Sequence, residues 1–239
     1  MIHFIADLHL SSRAPGVTRI FLDYLAGPAR QAEALYILGD LFEAWIGDDD
    51  DDPVYLEITS ALKAAGDSGI SILIQRGNRD FLLGERFAAA SGTRILPDPY
   101  PLSLPGKSFV LSHGDALCTG DTEYQTFRCE VRTPAWQSAF LAKPLTERRR
   151  LAAQLRQISV QNKKEKDAAL MDLDQSTTEN LIRSHNYATF IHGHTHRPAT
   201  HHHLVDGIAV ERWVLADWQE DRGEVLVWDG KTLQRQELS

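Results

Sequence analysis

Cysteine is scarce: Cys118 and Cys129 are the two in 239 residues. They form no CxxC pair and no spaced metal pattern. This excludes a disulfide-built scaffold and a thiolate metal centre, and makes a reducing compartment the expectation. Long apolar runs are also missing, since nothing approaches the ~18–20 residues needed to cross a bilayer. Positive charge is in deficit, with 25 Lys and Arg against 33 Asp and Glu and a formal net charge of −8. An average surface of that sign repels phosphate and argues against a general nucleic-acid coat. The segment Met1–Asp7 carries no basic region and no signal-like apolar core, so a cytoplasmic location is expected. Apart from Asp48–Asp52 there is no low-complexity tract and no repeat, and a hydrophobic content of 43% excludes a disordered chain.

What is present is a chain long enough for one large core, with or without an insertion. Short apolar runs at Ile2–Ala6, Ala34–Leu38 and Ile70–Ile74 read as buried strands. Between them, Val17–Leu25 and a segment opened by Pro53 and ending near Gly66 have helical spacing. Further strands are expected at Tyr100–Leu104, Ser108–Leu111, Thr189–His192, Arg212–Ala216 and Glu224–Trp228. The pattern predicts an α/β fold with a mixed sheet or two packed sheets.

From Thr122 to Arg183 nothing reads as a strand. Helices are expected at Thr122–Val131, Pro134–Leu141, Thr146–Val160 and Ser176–Arg183. The first three predict a helical cap over residues 122–169, inserted into a core formed by residues 1–121 and 170–239. Lys143–Lys166 contains eight basic residues against Glu147 and Glu165, a local charge of +6. Trp136, Phe140, Leu141, Leu145, Leu151, Leu155 and Ile158 give the insertion an apolar side.

Ten histidines are present, seven of them between His185 and His203. Five motifs fall where expected strands end: Asp7-Leu8-His9, Gly39-Asp40, Gly77-Asn78-Arg79-Asp80, His113-Gly114-Asp115 and His192-Gly193-His194-Thr195-His196. Loops at strand ends converge in α/β sheets, and glycine lets backbones approach closely. Each motif alone is weak; the ordered set of five carries the reading. The donors suffice for two divalent metals, with Asp7, His9, Asp40 and His196 around one and Asp40, Asn78, His113 and His194 around the other. Asp40 would bridge the pair. Imidazole, carboxylate and amide donors without thiolate favour Mn²⁺, with Fe²⁺ the alternative.

This ordered set resembles the calcineurin-like metallophosphoesterase superfamily. In that superfamily a histidine usually follows the Asn of the third motif; here the residue is Arg79. That departure is similar to the UDP-2,3-diacylglucosamine hydrolase family, as are Leu38–Asp50, Leu111–Thr119, Glu123–Arg128 and Leu170–Asp174. The resemblance implies a metallophosphoesterase-like two-sheet α/β sandwich with an inserted helical cap. It implies cleavage of the pyrophosphate of UDP-2,3-diacylglucosamine to UMP and 2,3-diacylglucosamine 1-phosphate, in lipid A synthesis. It further implies substrate contacts at Asn78, Arg79, Asp121, Ser159, Lys163, Lys166 and His194.

On this reading a hydroxide held by two Mn²⁺ ions attacks the α-phosphorus, with Asp40, Asn78 and Arg79 as the catalytic group. Arg79 is expected to clamp phosphate oxygens rather than shuttle protons, since guanidinium stays charged. Asp80 and Asp115 are read as orienting the ligand loops. The basic cap is expected to meet the diphosphate or the anionic inner face of the inner membrane, making a monomeric, peripheral protein. Asp48–Asp52 is read as a solvated run, with Asp48 near the helix starting at Pro53. His201–His203 are read as exposed residues and Cys118 as an inert thiol. His192 is read as facing inward; His3 and His185 have no expected partner. Two alternatives remain: another dinuclear metallophosphoesterase, such as a nucleotide phosphodiesterase, and a non-catalytic metal-binding scaffold.

Overall fold

The computed structural model describes residues 1–165 and 172–239, with the side chains of residues 158–165 outside that description. Eleven strands and seven α-helices are formed by the described residues. The first half alternates β1 (Ile2–Ile5), α1 (Pro15–Ala26), β2 (Ala34–Leu38), α2 (Pro53–Asp67), β3 (Ser71–Gln75), α3 (Glu85–Ser91) and β4 (Arg94–Leu96). β5 (Tyr100–Leu104) and β6 (Lys107–Ser112) follow, then α4 (Thr122–Val131), α5 (Pro134–Leu141), α6 (Leu145–Glu165) and α7 (Gln175–Ser184). The chain ends in β7 (Thr189–His192), β8 (Ala199–Val205), β9 (Ile208–Val214), β10 (Gly223–Trp228) and β11 (Leu233–Leu238).

Two sheets result, ordered β11-β10-β1-β2-β3-β4 and β5-β6-β7-β9-β8. β1, β2, β3 and β4 run parallel, with Phe4 opposite Tyr36 and Tyr36 opposite Leu73. β6, β7 and β9 are parallel in the second sheet. The period-2 pleat explains why β1 and β2 are apolar throughout. Phe4, Tyr36 and Leu38 point between the sheets toward Phe109, Leu111 and Ile191. Ile5, Leu35 and Ile37 point the other way, onto Phe21, Ile58 and Leu62 of α1 and α2. Side chains buried on both faces each contribute about 1.5–3 kcal/mol, so these strands hold the two sheets and the helical layer together. α7 covers the outer face of the second sheet through Ile182, against Phe190 and Val210.

The polar edges are where the fold departs from the sequence reading. β8 (Ala-Thr-His-His-His-Leu-Val) and β11 (Leu-Gln-Arg-Gln-Glu-Leu) are edge strands, held by pairing with β9 and β10 rather than by an apolar face. β9 begins at Ile208 rather than Arg212, because the Asp206-Gly207 turn pairs Ile208 with Val205.

The acidic run is not simply solvated. Asp52 caps α2 by accepting from Val54 N at 3.0 Å, the role expected nearer Asp48. Asp48 instead accepts from Gly84 N and Phe87 N, both at 3.0 Å, at the start of α3. Asp49 pairs with Arg148 of α6, and Asp50 and Asp51 both pair with Arg149. Arg148 is buried and also donates to the Ile46 and Lys143 carbonyls. Lys143 pairs with Glu147, and Arg156 with Glu43. Of the five basic residues in the +6 segment whose side chains are described, four are therefore engaged by carboxylates of the chain itself.

The insertion's apolar side is similarly divided. Trp136, Phe140, Leu145 and Leu151 pack on the helical-layer core, while Phe127, Leu141 and Leu155 are exposed. Ile158 lies outside the described side chains. Among the described residues no helix is long and apolar enough to cross a membrane.

His3 has the partner the sequence did not suggest. Its Nδ1 lies 2.8 Å from the Tyr24 hydroxyl in the core. Burial, and then the charge of the N-terminus, lower it to about 4. The imidazole is thus neutral when folded, while the unfolded chain takes up its proton near 6.5. That stability is present above pH 6.5 and is lost as pH falls toward 4. Denaturant midpoints measured across this window should fall more steeply for the native sequence than for His3→Gln; parallel curves would exclude the contribution.

Candidate metal centre

Five loops at the carboxyl ends of parallel strands form the site. Asp7 and His9 follow β1, Asp40 follows β2, and Asn78 and Arg79 follow β3. His113 follows β6, and His194 and His196 follow β7. Because β1-β2-β3 and β6-β7 are neighbours in the two sheets, their ends meet across the sandwich.

The backbone there is unusual. Asp7, His9, Asp40, His194 and His196 all adopt left-handed φ, between 50° and 69°. Side-chain-bearing residues are uncommon in that region, and such conformations concentrate at functional sites. The sharp turns aim successive donors at one point. Two glycines make the approach feasible. A Cβ at Gly77 would sit 2.1 Å from Asp40 Oδ1, and one at Gly193 2.3 Å from Asp7 Oδ2.

Among the described residues two groups bring ligand atoms within 4.8 Å of one another: Asp7, His9 and His196, and Asp7, Asp40 and His113. Asp40 spans the two, with Oδ2 3.8 Å from His9 Nε2 and Oδ1 3.7 Å from His113 Nε2. Asn78 Oδ1 lies 3.0 Å from His113 Nε2 and 2.9 Å from His194 Nδ1. All seven residues expected as ligands from the sequence therefore converge. Asp7 stands in both groups, whereas the sequence placed it in one.

The electrostatics favour a cation here. Asp7 is fully buried and its Oδ1 has no hydrogen-bond partner, an arrangement that is costly unless a charge compensates it. Burial alone would lower His113, but Asp40, Asp7 and Asp115 outweigh it and hold it up at about 9. Burial and the neighbouring His113 depress His194 to about 4. The carboxylates draw protons onto imidazoles wherever geometry allows, which is the demand a divalent ion meets. The donor set fits such ions: three carboxylate-bearing or amide loops, four imidazoles and no thiolate.

Supporting acids fix the loops. Asp80 accepts from Gly77 N at 2.7 Å and Leu41 N at 2.8 Å, stapling the β2 and β3 loops together. Burial and the adjacent Asp40 raise it to about 6. Asp115 is buried and accepts from the Tyr124 hydroxyl at 2.6 Å, Arg128 Nε at 2.7 Å and Arg132 Nη2 at 3.3 Å. Arg132 also donates to the Gly77 carbonyl, and the Tyr124 ring stacks 6.2 Å from that of His194. Asp115 thus ties α4 to the metal loops. Tyr124 and Arg128 fall in the Glu123–Arg128 stretch that resembles the family, but neither they nor Arg132, just past α4, carry a local sign of facing the metal loops.

Arg79 is placed through its backbone: its N–H donates to Asp40 Oδ1 at 2.8 Å and its carbonyl accepts from Trp45 N. Asp121 caps α4, accepting from Tyr124 N at 3.1 Å. Ser159 and Lys163 belong to α6 with side chains outside the description, and Lys166 lies outside the described residues. His192 is buried and faces Arg212 at 3.1 Å. Cys118 is buried and pushed up to about 12, first by burial, which leaves an inert thiol. His201–His203 lie on the edge strand β8, away from the converging loops. His185 Nδ1 lies 2.9 Å from the Leu181 carbonyl at the end of α7.

A two-sheet α/β sandwich with carboxylates and imidazoles at its strand ends defines a phosphoesterase of the calcineurin-like class. The profile of the calcineurin-like phosphoesterase family matches residues 1–198. The UDP-2,3-diacylglucosamine hydrolase of Aromatoleum aromaticum is 52% identical over 227 residues, covering 95% of this chain and 92% of that protein. Those of Escherichia coli and Chromohalobacter salexigens are each 47% identical, over 94% of this chain and 93% and 92% of theirs. The chain belongs to the UDP-2,3-diacylglucosamine hydrolase family of calcineurin-like phosphoesterases.

Proposed function

We propose that this chain hydrolyses the pyrophosphate bond of UDP-2,3-diacylglucosamine, releasing UMP and 2,3-diacylglucosamine 1-phosphate for lipid A synthesis. The observation that carries it is the convergence of Asp7, His9, Asp40, Asn78, His113, His194 and His196 in a chain of this family. Asp7, His9, Asp40 and His196 would hold one divalent ion and Asp40, Asn78, His113 and His194 the other, with Mn²⁺ preferred to Fe²⁺. Such ions, when bound, activate water and neutralise phosphoryl charge.

The chain's own residues do the rest. Arg79 offers paired donors to the phosphate oxygens, and His194, whose Nδ1 faces Asn78, has Nε2 for a hydrogen bond to the same group. Water, giving up its proton to solvent, bonds through oxygen to the α-phosphorus while the bond from that phosphorus to the bridging oxygen breaks. The leaving sugar phosphate keeps that oxygen and is already a tolerable anion, so it needs no protonation. Residues 122–169 act as a cap over the site, with Asp121, Ser159, Lys163 and Lys166 meeting the substrate. The exposed Phe127, Leu141 and Leu155 suit acyl chains or the inner-membrane surface. The protein works as a monomer, peripheral to the cytoplasmic face.

The test is to strip the metals, restore Mn²⁺ and follow UMP release, beside a generic aryl phosphodiester. Mn²⁺-dependent release from the diacylated sugar nucleotide alone is expected. Turnover of the aryl diester only would move the assignment to a general phosphodiesterase. Absence of bound metal and of turnover would make it a non-catalytic scaffold.

A further inference from the structure

Both imidazoles at the first ion's corner have a carboxylate behind them. His196 Nδ1 lies 3.5 Å from Asp217 Oδ2, and His9 Nδ1 lies 3.2 Å from Glu43 Oε2. The second approach is off the hydrogen-bond line, so His9 Nδ1 is buried without a formal hydrogen bond while an anionic oxygen stays in reach. A carboxylate in this position keeps the proton on Nδ1 and the lone pair on Nε2. The two Nε2 atoms face one another at 3.3 Å, and Asp7 Oδ1 is 3.5 Å from that of His196. Lone pairs so arranged repel unless a proton or a metal cation lies among them.

The two carboxylates differ in what else they touch. Asp217 belongs to the core and accepts from Gln219. Glu43 pairs on its other side with Arg156 of α6, in the helical insertion. Its position three residues after Asp40 brings the insertion to within one side chain of a metal-corner imidazole.

We propose that Glu43 is a positioning residue that orients His9 for the ion at the Asp7 corner, and that its ion pair with Arg156 ties α6 to that same corner. The inference rests on the dinuclear reading above. Glu43 acts through His9 and touches neither substrate nor ion. Its two partners draw on one carboxylate, so weakening the Arg156 pair leaves Glu43 free to serve His9.

Metal-free native protein, Glu43→Gln and Arg156→Ala are titrated with Mn²⁺, reading free Mn²⁺ by electron paramagnetic resonance, and kcat and KM are measured beside it. The native chain is expected to bind two ions. Glu43→Gln should weaken one of them by about 10–100-fold, the loss typical for an outer partner of a ligand. Arg156→Ala should keep both affinities and change KM. Glu43→Ala gives the same readout should the Gln variant fail to fold. Native-like binding by both Glu43 variants would overturn the role. So would an equal loss in Arg156→Ala, which would make Glu43 only an anchor for the helix. Native protein binding fewer than two ions would instead bring down the dinuclear reading, and the inference with it.

Discussion

Asp40→Asn is expected to bind neither ion tightly and to lose turnover beyond the ~10–100-fold that removal of an outer partner costs. The reason is its place between the two groups: one oxygen lies 3.8 Å from His9 Nε2 and the other 3.7 Å from His113 Nε2. Asp7 also stands in both groups, but Asp40 is the carboxylate seen with one oxygen toward an imidazole on each side. The fold should survive, because the amide keeps an oxygen to accept the Arg79 N–H and occupies nearly the same volume. Asp40 and Asp80 are buried like charges, and Asp40 contributes to the rise of Asp80 to about 6. Relief of that repulsion is opposed by loss of the charge that holds His113 up, so the metal-free variant should melt close to the metal-free native protein. Added Mn²⁺ should raise the melting midpoint of the native chain, since a ligand of the folded state stabilises in proportion to ln(1 + [L]/Kd). The variant should show no such rise. Scanning calorimetry with and without Mn²⁺ decides it; an equal rise in both would remove Asp40 from the ion pair.

Much of this site could be read in sequence order because its ligands follow apolar runs that can only be strands. Ile2–Ile5 and Ala34–Leu38 are buried on both faces, so their ends, and the Asp-x-His and Gly-Asp that follow, are marked by simple hydropathy. The short α3 and the polar β8 and β11 had no such signal. Their stability comes from partners rather than from an apolar face of their own: the remote Asp48 for α3, and the hairpin neighbours β9 for β8 and β10, with the pair Arg235–Glu224, for β11. The left-handed backbone at five ligands was not legible either: Asp and His enter that region more often than most residues, but nothing local says which of them do.

The same distinction explains the charge pattern. A net −8 with a +6 segment suggested a free basic face, but Asp49, Asp50 and Asp51 stand opposite Arg148 and Arg149 nearly a hundred positions away. Exposed ion pairs are worth little singly. Arg148 is different, because burial makes its carboxylate and carbonyl partners necessary. The acidic run and the basic helix are thus two halves of one contact, and the charge left for a phosphate or a membrane lies in fewer residues than composition implies.

Arg79→Ala is expected to retain both ions and to lose about 10²–10³-fold in kcat, the scale on which removal of one preorganised donor acts on a transition state. Retention follows from geometry. Arg79 meets the site through its backbone N–H, which holds Asp40 Oδ1 at 2.8 Å, and its carbonyl is held by Trp45 N; alanine keeps both. What is removed is a guanidinium one residue from Asn78, which on the proposed mechanism meets the charge of the phosphoryl oxygens. Arg79→Lys should recover only part of the loss, because an ammonium supplies the charge without the paired donors. Were the arginine needed only to bind ground-state substrate, KM would rise and kcat would stand unchanged. Parallel Mn²⁺ titration and steady-state kinetics on the three proteins separate these cases, and an unaltered kcat in Arg79→Ala would end the clamp assignment.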